Sequence, residues 1–340
     1  DNLMSNCINL QGGLGFKKDD IYLHAAPMFH LANGAAMIAA THAGVAHAFI
    51  KAFAPDLVLQ AIERHKVTVT LLIPAMINFV VNHPDLEKSD ISSLRLVVYG
   101  GSPIPVEVLR KAMQKLPNCR FIQAYGMTEA SPVLTVLNQD DHTLQGPPEV
   151  LARLASGGQP IHGVRVRVVN AEGQDVKPGE IGEVIAKGQT ITKGYWKLPQ
   201  ETAEVIRDGW YYSGDLATVD DEMYVFIVDR RKDMIVSGGE NIYSTEVENA
   251  LYTHPAVLEV AVIGVPDDKW GEAVKAVVVV RPGHSVTAEE LIAHCKENLA
   301  SYKAPKSVDF VETLPKSGAG KILKRELREQ YWKGQDRRVH

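Results

Sequence analysis

The sequence predicts an α/β protein with a large N-terminal domain, which holds an α/β sheet and a β subdomain, and a small α+β domain after it. Up to Gln145, helical patterns alternate with β-branched runs, and short β runs between Gly and Pro follow. The charged segment 229–233 then precedes a last block of mixed patterns. Because 340 residues exceed the usual domain size of about 100–200, we expect two or more cores.

The first region favours a parallel sheet. Pro55 and Pro74 open helical patterns on either side of a β-branched run at 67–73. Strand, helix and strand patterns at 94–99, 105–116 and 120–124 repeat this alternation. In open α/β sheets, ligands bind at the carboxyl ends of the strands. We therefore expect functional residues directly after these strands.

The later regions have their own patterns. In the middle of the chain, β runs occur at 164–169, 182–186 and 209–217. The last block combines β runs at 257–265 and 273–280 with helical patterns at 244–252 and 287–299. These patterns predict an N-terminal domain over 1–231, with the β subdomain at about 146–231, and a C-terminal domain over 232–340.

Composition excludes several classes of protein. The 36 Lys and Arg residues against 41 Asp and Glu residues give a formal charge of −5, so no nucleic-acid partner is expected. The three separated cysteines argue against a disulfide framework and a structural zinc site. No apolar run reaches the roughly 20 residues of a transmembrane helix, and the start has no signal-peptide layout. A cytoplasmic location is therefore expected.

Residues 125–131 combine several groups that suit a nucleotide. At one strand end, the Tyr125 ring can stack on a base, the Thr128 hydroxyl can contact a phosphate, and Glu129 can bind Mg²⁺. An ordinary β-to-α turn with a capping Thr has the same pattern. The presence of further motifs in the chain favours the nucleotide-binding interpretation over the ordinary turn.

Other strand ends add to this picture. The glycines in 100–103 let a ligand approach the backbone, and Asp215 follows a glycine where a carboxylate can accept both ribose hydroxyls. Arg230 can supply a cation to the same ribose or phosphate. Turns and a solvated charged surface are the alternative interpretations of these residues.

In this order, the motifs closely resemble the acyl-adenylate-forming (AMP-binding) superfamily of acyl-CoA synthetases, luciferases and peptide-synthetase adenylation domains. The resemblance covers nearly the whole chain, and its motifs lie at 26–30, 99–103, 125–129, 179–183, 212–215, 229–246 and 315–321. It implies a two-step reaction. A carboxylate attacks the α-phosphorus of ATP to give acyl-AMP and pyrophosphate, and the CoA thiolate then displaces AMP.

The resemblance also implies roles for individual residues. Tyr125 would stack on adenine, and the catalytic residues Thr128 and Glu129 would contact phosphate and Mg²⁺, respectively. The residues implied to line the nucleotide and acyl pockets are Gly101, Ser102, Pro103, Gly126 and Met127. Asp215 would bind the ribose hydroxyls with help from Arg230.

Two further catalytic residues are implied. Lys321 would bridge the substrate carboxylate and the α-phosphate as charge builds in the first transition state. Lys321 could instead be a surface lysine before a basic helix. His30 would guard the acyl pocket and assist the second step, although a lone His beside an apolar helix is often simply packed.

In this family the C-terminal domain rotates between the steps, which implies a hinge at Lys232. Rotation would withdraw Lys321 and present a loop to the pantetheine arm of CoA. The residues of this loop are Ser237, Gly238, Gly239 and Glu240. A hairpin-like turn is the alternative interpretation.

The chain departs from the family in one respect. It has no Ser/Thr/Gly-rich phosphate loop ending in Pro-Lys-Gly, so we expect an upstream part of the N-terminal domain to be a separate chain or absent. Partners beyond the acid are thus a missing N-terminal segment or a second copy. The basic segment 321–328 predicts at most peripheral membrane contact.

The favoured function is an ATP-dependent, AMP-forming acid–CoA ligase. The predicted pocket, at 29–37, 98–102 and 124–127, is mostly small or apolar and has no cation for a second carboxylate, which favours a fatty or other hydrophobic acid. One alternative is a stand-alone adenylation domain that loads a carrier protein. Another is a nucleotide-binding remnant without catalysis.

Overall fold

The computed structural model describes residues 1–318 and 320–333. Ala319 of the motif at 315–321 and residues 334–340 of the predicted C-terminal domain lie outside the described residues. The chain forms two compact units, one of residues 1–213 and 217–227, the other of residues 214–216 and 228 onward. The domain boundary at 231/232 and the hinge at Lys232 stay predictions.

A seven-stranded sheet organises the first unit, with strand order β2-β1-β3-β4-β5-β6-β7. Its strands are β1 (Ile21–His24), β2 (Ala46–Phe49), β3 (Val69–Leu72), β4 (Leu96–Gly100), β5 (Arg120–Gly126), β6 (Val133–Leu137) and β7 (Gln159–Pro160). The pairs from β2 through β5 are parallel, and β6 and β7 add antiparallel. Strand β3 is buried throughout, as expected of a central parallel strand.

The first unit also contains α-helices. They are α1 (Asn2–Leu14), α2 (Leu31–His42), α3 (Pro55–His65), α4 (Pro74–Val81), α5 (Val106–Lys115), α6 (Pro148–Ala152) and α7 (Pro199–Val205). Helix α3 begins with Pro, whose fixed φ suits the first helical position, and ends at Lys66 in the left-handed region (φ 49°). Its apolar side buries Val58, Leu59 and Ile62 in the core of the unit.

A second sheet holds the predicted β-rich region. Its strands are β8 (Val164–Val169), β9 (Gly182–Gly188), β10 (Ile206–Arg207), β11 (Trp210–Val219) and β12 (Val225–Arg230). The order is β10-β11-β9-β8, and β12 also pairs with β11. Strand β8 alternates buried valines with outward arginines.

The second unit has a five-stranded sheet of its own. Its strands are β13 (Ile235–Ser237), β14 (Glu240–Ile242), β15 (Val257–Asp267), β16 (Gly271–Val280) and β17 (Ser307–Phe310), and its helices are α8 (Ser244–Tyr252), α9 (Ala288–Asn298) and α10 (Lys324–Glu329). Alternate residues of β15 enter separate apolar clusters: Val262 lies in the cluster that holds Leu251 and Leu291, and Ile263 in the one that holds Leu327. Both faces of this sheet are therefore covered.

The predicted fold class is confirmed, and the main predicted elements lie within a few residues of their observed positions. Within the described ranges, no helix combines the length and the apolar character needed to span a membrane.

Candidate active site

Two neighbouring strand ends form the first group of candidate site residues, within the first unit. Strands β4 and β5 are parallel, with Gly100 opposite Ala124, so residues 101–103 and 125–127 lie at the same edge of the sheet, where both strands end. Tyr125 and Met127 are half-buried there, whereas Pro103 is exposed. The structure therefore brings the two predicted strand-end motifs of the first unit together.

Glycine is required at two of these positions for packing. A Cβ atom on Gly126 would lie 2.9 Å from the Cα of Val133 and would overlap the Pro132 carbonyl oxygen, and one on Gly100 would overlap the Ala124 carbonyl oxygen. Gly101 has a φ of +82°, which favours glycine for conformational reasons. Gly126 is thus explained by the close approach of β6, whatever it binds.

Glu129 lies in a 3₁₀ turn (Thr128–Ala130) directly after β5. Its carbonyl oxygen accepts a 2.7 Å hydrogen bond from the backbone N–H of Thr192. Its Oε1 accepts a 2.9 Å hydrogen bond from the hydroxyl of Tyr195. Thr128 is exposed on the same turn. The loop before α7 therefore orients the carboxylate that the sequence assigned to Mg²⁺.

Tyr195 is a residue of the candidate site that sequence reasoning missed. Burial raises the pKa of its phenol, and the hydrogen bond to Glu129 and the charge of Glu129 raise it further. Tyr195 therefore stays protonated and remains a hydrogen-bond donor. Its position after Gly194, between β9 and α7, gave no signal, because the 66 residues that separate it from Glu129 hide the contact.

The donor set around Glu129 fits Mg²⁺ bound mainly through a nucleotide. No group of three or more His, Cys, Asp or Glu side chains able to hold a metal occurs in the part of the chain that the structure describes. Mg²⁺ typically uses one or two carboxylates and completes its shell with waters and substrate phosphates. The single carboxylate of Glu129 is consistent with this mode of Mg²⁺ coordination.

His30 is the N-cap residue of α2. Its Nδ1 accepts a 3.3 Å hydrogen bond from the backbone N–H of Ala32, and its side chain is half-buried. Satisfying a free N–H at a helix start is the usual role of a cap. The structure gives His30 this local role, and its part in guarding an acyl pocket stays a prediction.

Asp215 and Arg230 form a second group of candidate site residues, within the second unit. The Nε of Arg230 lies 3.6 Å from Oδ1 of Asp215. The Asp215 side chain is 13% exposed, whereas that of Arg230 is 53% exposed. A carboxylate mostly withdrawn from water beside a partly exposed cation suits a ligand with hydroxyl donors and a negative charge.

Lys321 belongs to the same group of charges. Burial lowers the pKa of its ammonium group, the charge of Arg230 lowers it further, and Asp215 opposes both effects. The backbone N–H of Lys321 donates a 3.2 Å hydrogen bond to the hydroxyl of Ser317, and its carbonyl accepts one of 2.8 Å from the N–H of Ser317. The structure therefore brings three predicted site residues of the second unit together.

The loop at 237–240 forms the turn between β13 and β14. Gly238 and Gly239 have φ angles of +62° and +89°, and a Cβ atom on Gly238 would lie 2.6 Å from the ring of Trp270. The backbone N–H of Gly238 also donates to the Trp270 carbonyl at 2.8 Å. The turn itself requires this pair of glycines. Lys232 is exposed in the preceding segment.

Comparison with known protein families identifies both parts of the chain. Residues 1–196 match the profile of the AMP-binding enzyme family, and residues 246–321 match the profile of the AMP-binding enzyme C-terminal domain. The chain belongs to the AMP-binding enzyme family. The candidate site therefore lies on the scaffold of adenylate-forming enzymes, of the acyl-CoA synthetase type.

Curated members of the AMP-binding enzyme family match nearly the whole chain. It is 43% identical to a feruloyl-CoA synthase of Amycolatopsis sp over 97% of this chain and 65% of that protein. It is 42% identical to the medium/long-chain-fatty-acid–CoA ligase FadD8 of Mycobacterium tuberculosis over 84% of this chain and 50% of that protein. A fatty acid–[acyl-carrier-protein] ligase, ScoC of Streptomyces coeruleorubidus, is 36% identical over 96% of this chain and 62% of its own length.

A solved structure shares this fold. The o-succinylbenzoate CoA synthetase MenE of Bacillus subtilis, in complex with ATP and magnesium ion, superposes with a TM-score of 0.82 and 31% identity over 96% of this chain and 65% of that one. The chain thus spans between half and two thirds of the length of these relatives.

Proposed function

We propose that this AMP-binding enzyme catalyses the ATP-dependent, AMP-forming ligation of a carboxylic acid to CoA. The observation that carries the proposal is the group of Asp215, Arg230 and Lys321 in the second unit. In this group, the Asp215 carboxylate can accept hydrogen bonds from the hydroxyls of a ribose. The guanidinium of Arg230 and the partly buried ammonium of Lys321 suit the reacting phosphate of a nucleotide. Similarity to CoA ligases supports the reaction class.

In the first step, a carboxylate oxygen of the acid attacks the α-phosphorus of ATP, and pyrophosphate leaves. Two anions meet in this step, so a cation at the reacting centre lowers the barrier. We assign this role to Lys321 because its ammonium is partly withdrawn from water. Electrostatic interactions are stronger in such an environment than in bulk water. Asp215 would hold the ribose hydroxyls, with Arg230 beside it.

We assign binding of the nucleotide's other parts to the strand ends of the first unit. Tyr125 would stack on the adenine, and Thr128 would donate a hydrogen bond to a phosphate oxygen. Glu129, oriented by Tyr195, would supply the protein carboxylate of a Mg²⁺ ion shared with the phosphates. When bound, Mg²⁺ would neutralise charge on the phosphates.

In the second step, the thiolate of CoA attacks the acyl carbon and AMP leaves. We assign the approach of the pantetheine arm to the turn at 237–240, with Lys232 as the hinge, on the resemblance of these motifs to the family. For the acid, an apolar body with one carboxylate is proposed. Feruloyl and fatty acyl groups of the relatives fit that class. The three free cysteines agree with a proposed cytoplasmic location.

A carrier protein is a second candidate acceptor. Similarity to the ScoC ligase, whose name specifies an acyl-carrier protein, supports it. The two acceptors present the same phosphopantetheine thiol, so the first step would be identical. The acceptor is decided by comparing CoA with a phosphopantetheinylated carrier protein in the second step.

The test is pyrophosphate release with ATP, Mg²⁺ and a panel of short-chain, medium-chain, long-chain and aromatic acids. We expect release with at least one apolar monoacid and its suppression in Lys321→Ala. Binding of ATP without pyrophosphate release from any acid would refute the catalytic assignment and favour a nucleotide-binding remnant.

A further inference from the structure

A buried group of charges in the second unit is not used by the proposed reaction. The ammonium of Lys324, on α10, lies 2.7 Å from Oε1 of Glu248 and donates a 2.6 Å hydrogen bond to the hydroxyl of Ser244. The hydroxyl and the backbone N–H of Ser244 donate to Oδ2 of Asp229 at 2.7 and 2.5 Å. This chain of contacts links α10 to the end of β12 through α8.

A second contact joins the same two segments. The guanidinium of Arg328 lies 2.5 Å from Oδ1 of Asp233. Lys324 and Arg328 are one helical turn apart on α10, and both side chains are under 20% exposed. The basic sequence of this segment gives no sign of such pairing, but these two cations are turned inward and paired. We call the two contacts together the α10 clamp.

The clamped segments carry the residues of the candidate site. Asp229 directly precedes Arg230, and Lys324 follows Lys321 by three residues. Leu327, between the two clamp cations, is buried in the apolar cluster that also holds Ile263 of β15. The orientation of α10 is therefore fixed by one apolar contact, by the ion pair of Lys324 with Glu248 on α8, and by the ion pair of Arg328 with Asp233, three residues after Arg230.

Because the charged groups of the clamp are buried, each must lie close to an opposite charge or a hydrogen-bond partner. Burial alone would favour neutral Lys324, but the carboxylates of Glu248 and Asp229 more than offset it and raise the pKa of this lysine. Glu248 also accepts a 2.7 Å hydrogen bond from the N–H of Val262. Buried ion pairs often stabilise a fold less than apolar side chains of similar volume would. We therefore interpret these pairs as contacts that orient α10.

We propose that Lys324 and Arg328 are positioning residues that hold Lys321 beside Asp215 and Arg230 through their contacts with Glu248, Ser244, Asp229 and Asp233. The inference rests on the proposed function, since Lys321 is assigned to the first step alone. Neither clamp residue touches substrate in this account. Loosening the clamp therefore slows adenylation and leaves transfer from ready-made acyl-AMP intact.

The test uses Lys324→Met and the charge-balanced Lys324→Met/Glu248→Leu in the protein, with Lys324→Arg as the conservative variant. Pyrophosphate release measures the first step, and thioester formation from supplied acyl-AMP and CoA measures the second. We expect the first step to fall about 100-fold in both Met variants, as for a misplaced catalytic group, with the second unchanged and with recovery in Lys324→Arg.

A labelling experiment reads the position of Lys321 without catalysis. Modification of Lys321 by an amine reagent, followed over pH by mass spectrometry, reports its ionisation. In the intact clamp, burial and Arg230 lower the pKa of Lys321. In the charge-balanced double variant, the pH of half-labelling should move up toward that of an ordinary lysine.

Lys275→Met is the matched control, because Lys275 pairs with Asp309 at 2.7 Å in the same unit, is similarly buried and lies outside the clamp. It should leave both steps and the labelling profile unchanged. Equal losses in both steps, or an unshifted labelling profile in the double variant, would overturn the proposal. If the wild type releases no pyrophosphate with any acid, the proposed function fails, and the labelling shift alone decides whether the clamp positions Lys321.

Discussion

The hydroxyl of Tyr195 donates a 2.9 Å hydrogen bond to Oε1 of Glu129, across 66 residues of sequence. In the same loop, the backbone N–H of Thr192 donates a hydrogen bond to the carbonyl oxygen of Glu129. The strand end and the loop before α7 thus hold one carboxylate from two directions. Such orienting partners typically control how well a metal ligand performs.

Tyr195→Phe should weaken the response to Mg²⁺. Removing the hydroxyl leaves the Glu129 carboxylate without its orienting donor, so we expect the Mg²⁺ concentration for half-maximal pyrophosphate release to rise about 10-fold. A titration with MgCl₂ at saturating ATP measures this. Tyr224→Phe is the control, because that phenol donates a 2.8 Å hydrogen bond to Asp141 elsewhere in the unit. Equal shifts in both variants would contradict the account.

The rate of the first step should fall at alkaline pH because Lys321 loses its proton. Burial and Arg230 lower the pKa of this ammonium, and the cation is the form that stabilises the transition state. The rate should therefore fall as pH rises through a pKa below the ordinary lysine value of about 10.4. Lys321→Arg keeps its charge, so its weaker activity should lack this decline. An identical decline in Lys321→Arg would exclude Lys321 as its source.

His142 should make the first unit sensitive to acid. Burial lowers the pKa of this imidazole from 6.5 to about 4, outweighing the hydrogen bond to Asn138 and the charge of Asp141, both of which raise it. A carbonyl only accepts, so Nδ1–H donates to Asn138 at 2.7 Å, and neutral Nε2 accepts from Tyr99 at 2.9 Å.

The sign follows from linkage. A depressed folded-state pKa means that the stabilisation is present above pH 6.5 and is lost as pH falls toward about 4. With allowance for partial exposure, we expect about 2 kcal/mol to be lost over this range. Urea unfolding of wild type and His142→Gln should show a stability difference that shrinks with falling pH. A difference independent of pH would contradict the assignment.

Gly126→Ala should destabilise the first unit. The added Cβ meets the backbone of the neighbouring strand β6, which cannot move aside as a flexible side chain can, so we expect a loss of about 2 kcal/mol. Gly13→Ala is the opposite case, because a Cβ there has no neighbour within 4 Å and the residue lies in α1. It should stabilise by about 0.5 kcal/mol. Urea denaturation compares the two, and equal effects would contradict the packing argument.

Local sequence signals predicted much of the fold. Helices α3 and α4 begin at Pro55 and Pro74 as expected, because proline suits the first helical position and an apolar stripe continues from it. The four-residue strands β1 and β2 were not predicted. Strand β2, with the sequence Ala-His-Ala-Phe, has no β-branched residue, and its parallel pairing with β1 is a tertiary contact.

The candidate site was predicted only where its residues lie in motifs. Tyr125 lies at the end of β5 and Lys321 follows a Gly-rich loop, and the sequence marks both places. Asp215 was expected at a strand end because it follows a glycine, but it lies within β11, which continues to Val219. The contacts of Tyr195 and Lys324 join distant segments, and no pattern around either residue indicates its partner. The inward pairing of Lys324 and Arg328 was not predicted for the same reason, since charge alone does not show which side of a helix faces buried carboxylates.

Transfer of an oxygen atom tests the central claim most directly. In the proposed first step, a carboxylate oxygen becomes the bridge to the α-phosphorus, and it stays with AMP when the thiol takes the acyl group. An apolar acid labelled with ¹⁸O in its carboxylate should therefore yield AMP carrying one ¹⁸O atom, in amounts equal to the thioester formed. Label in inorganic phosphate, or unlabelled AMP alongside thioester, would contradict an acyl-adenylate route.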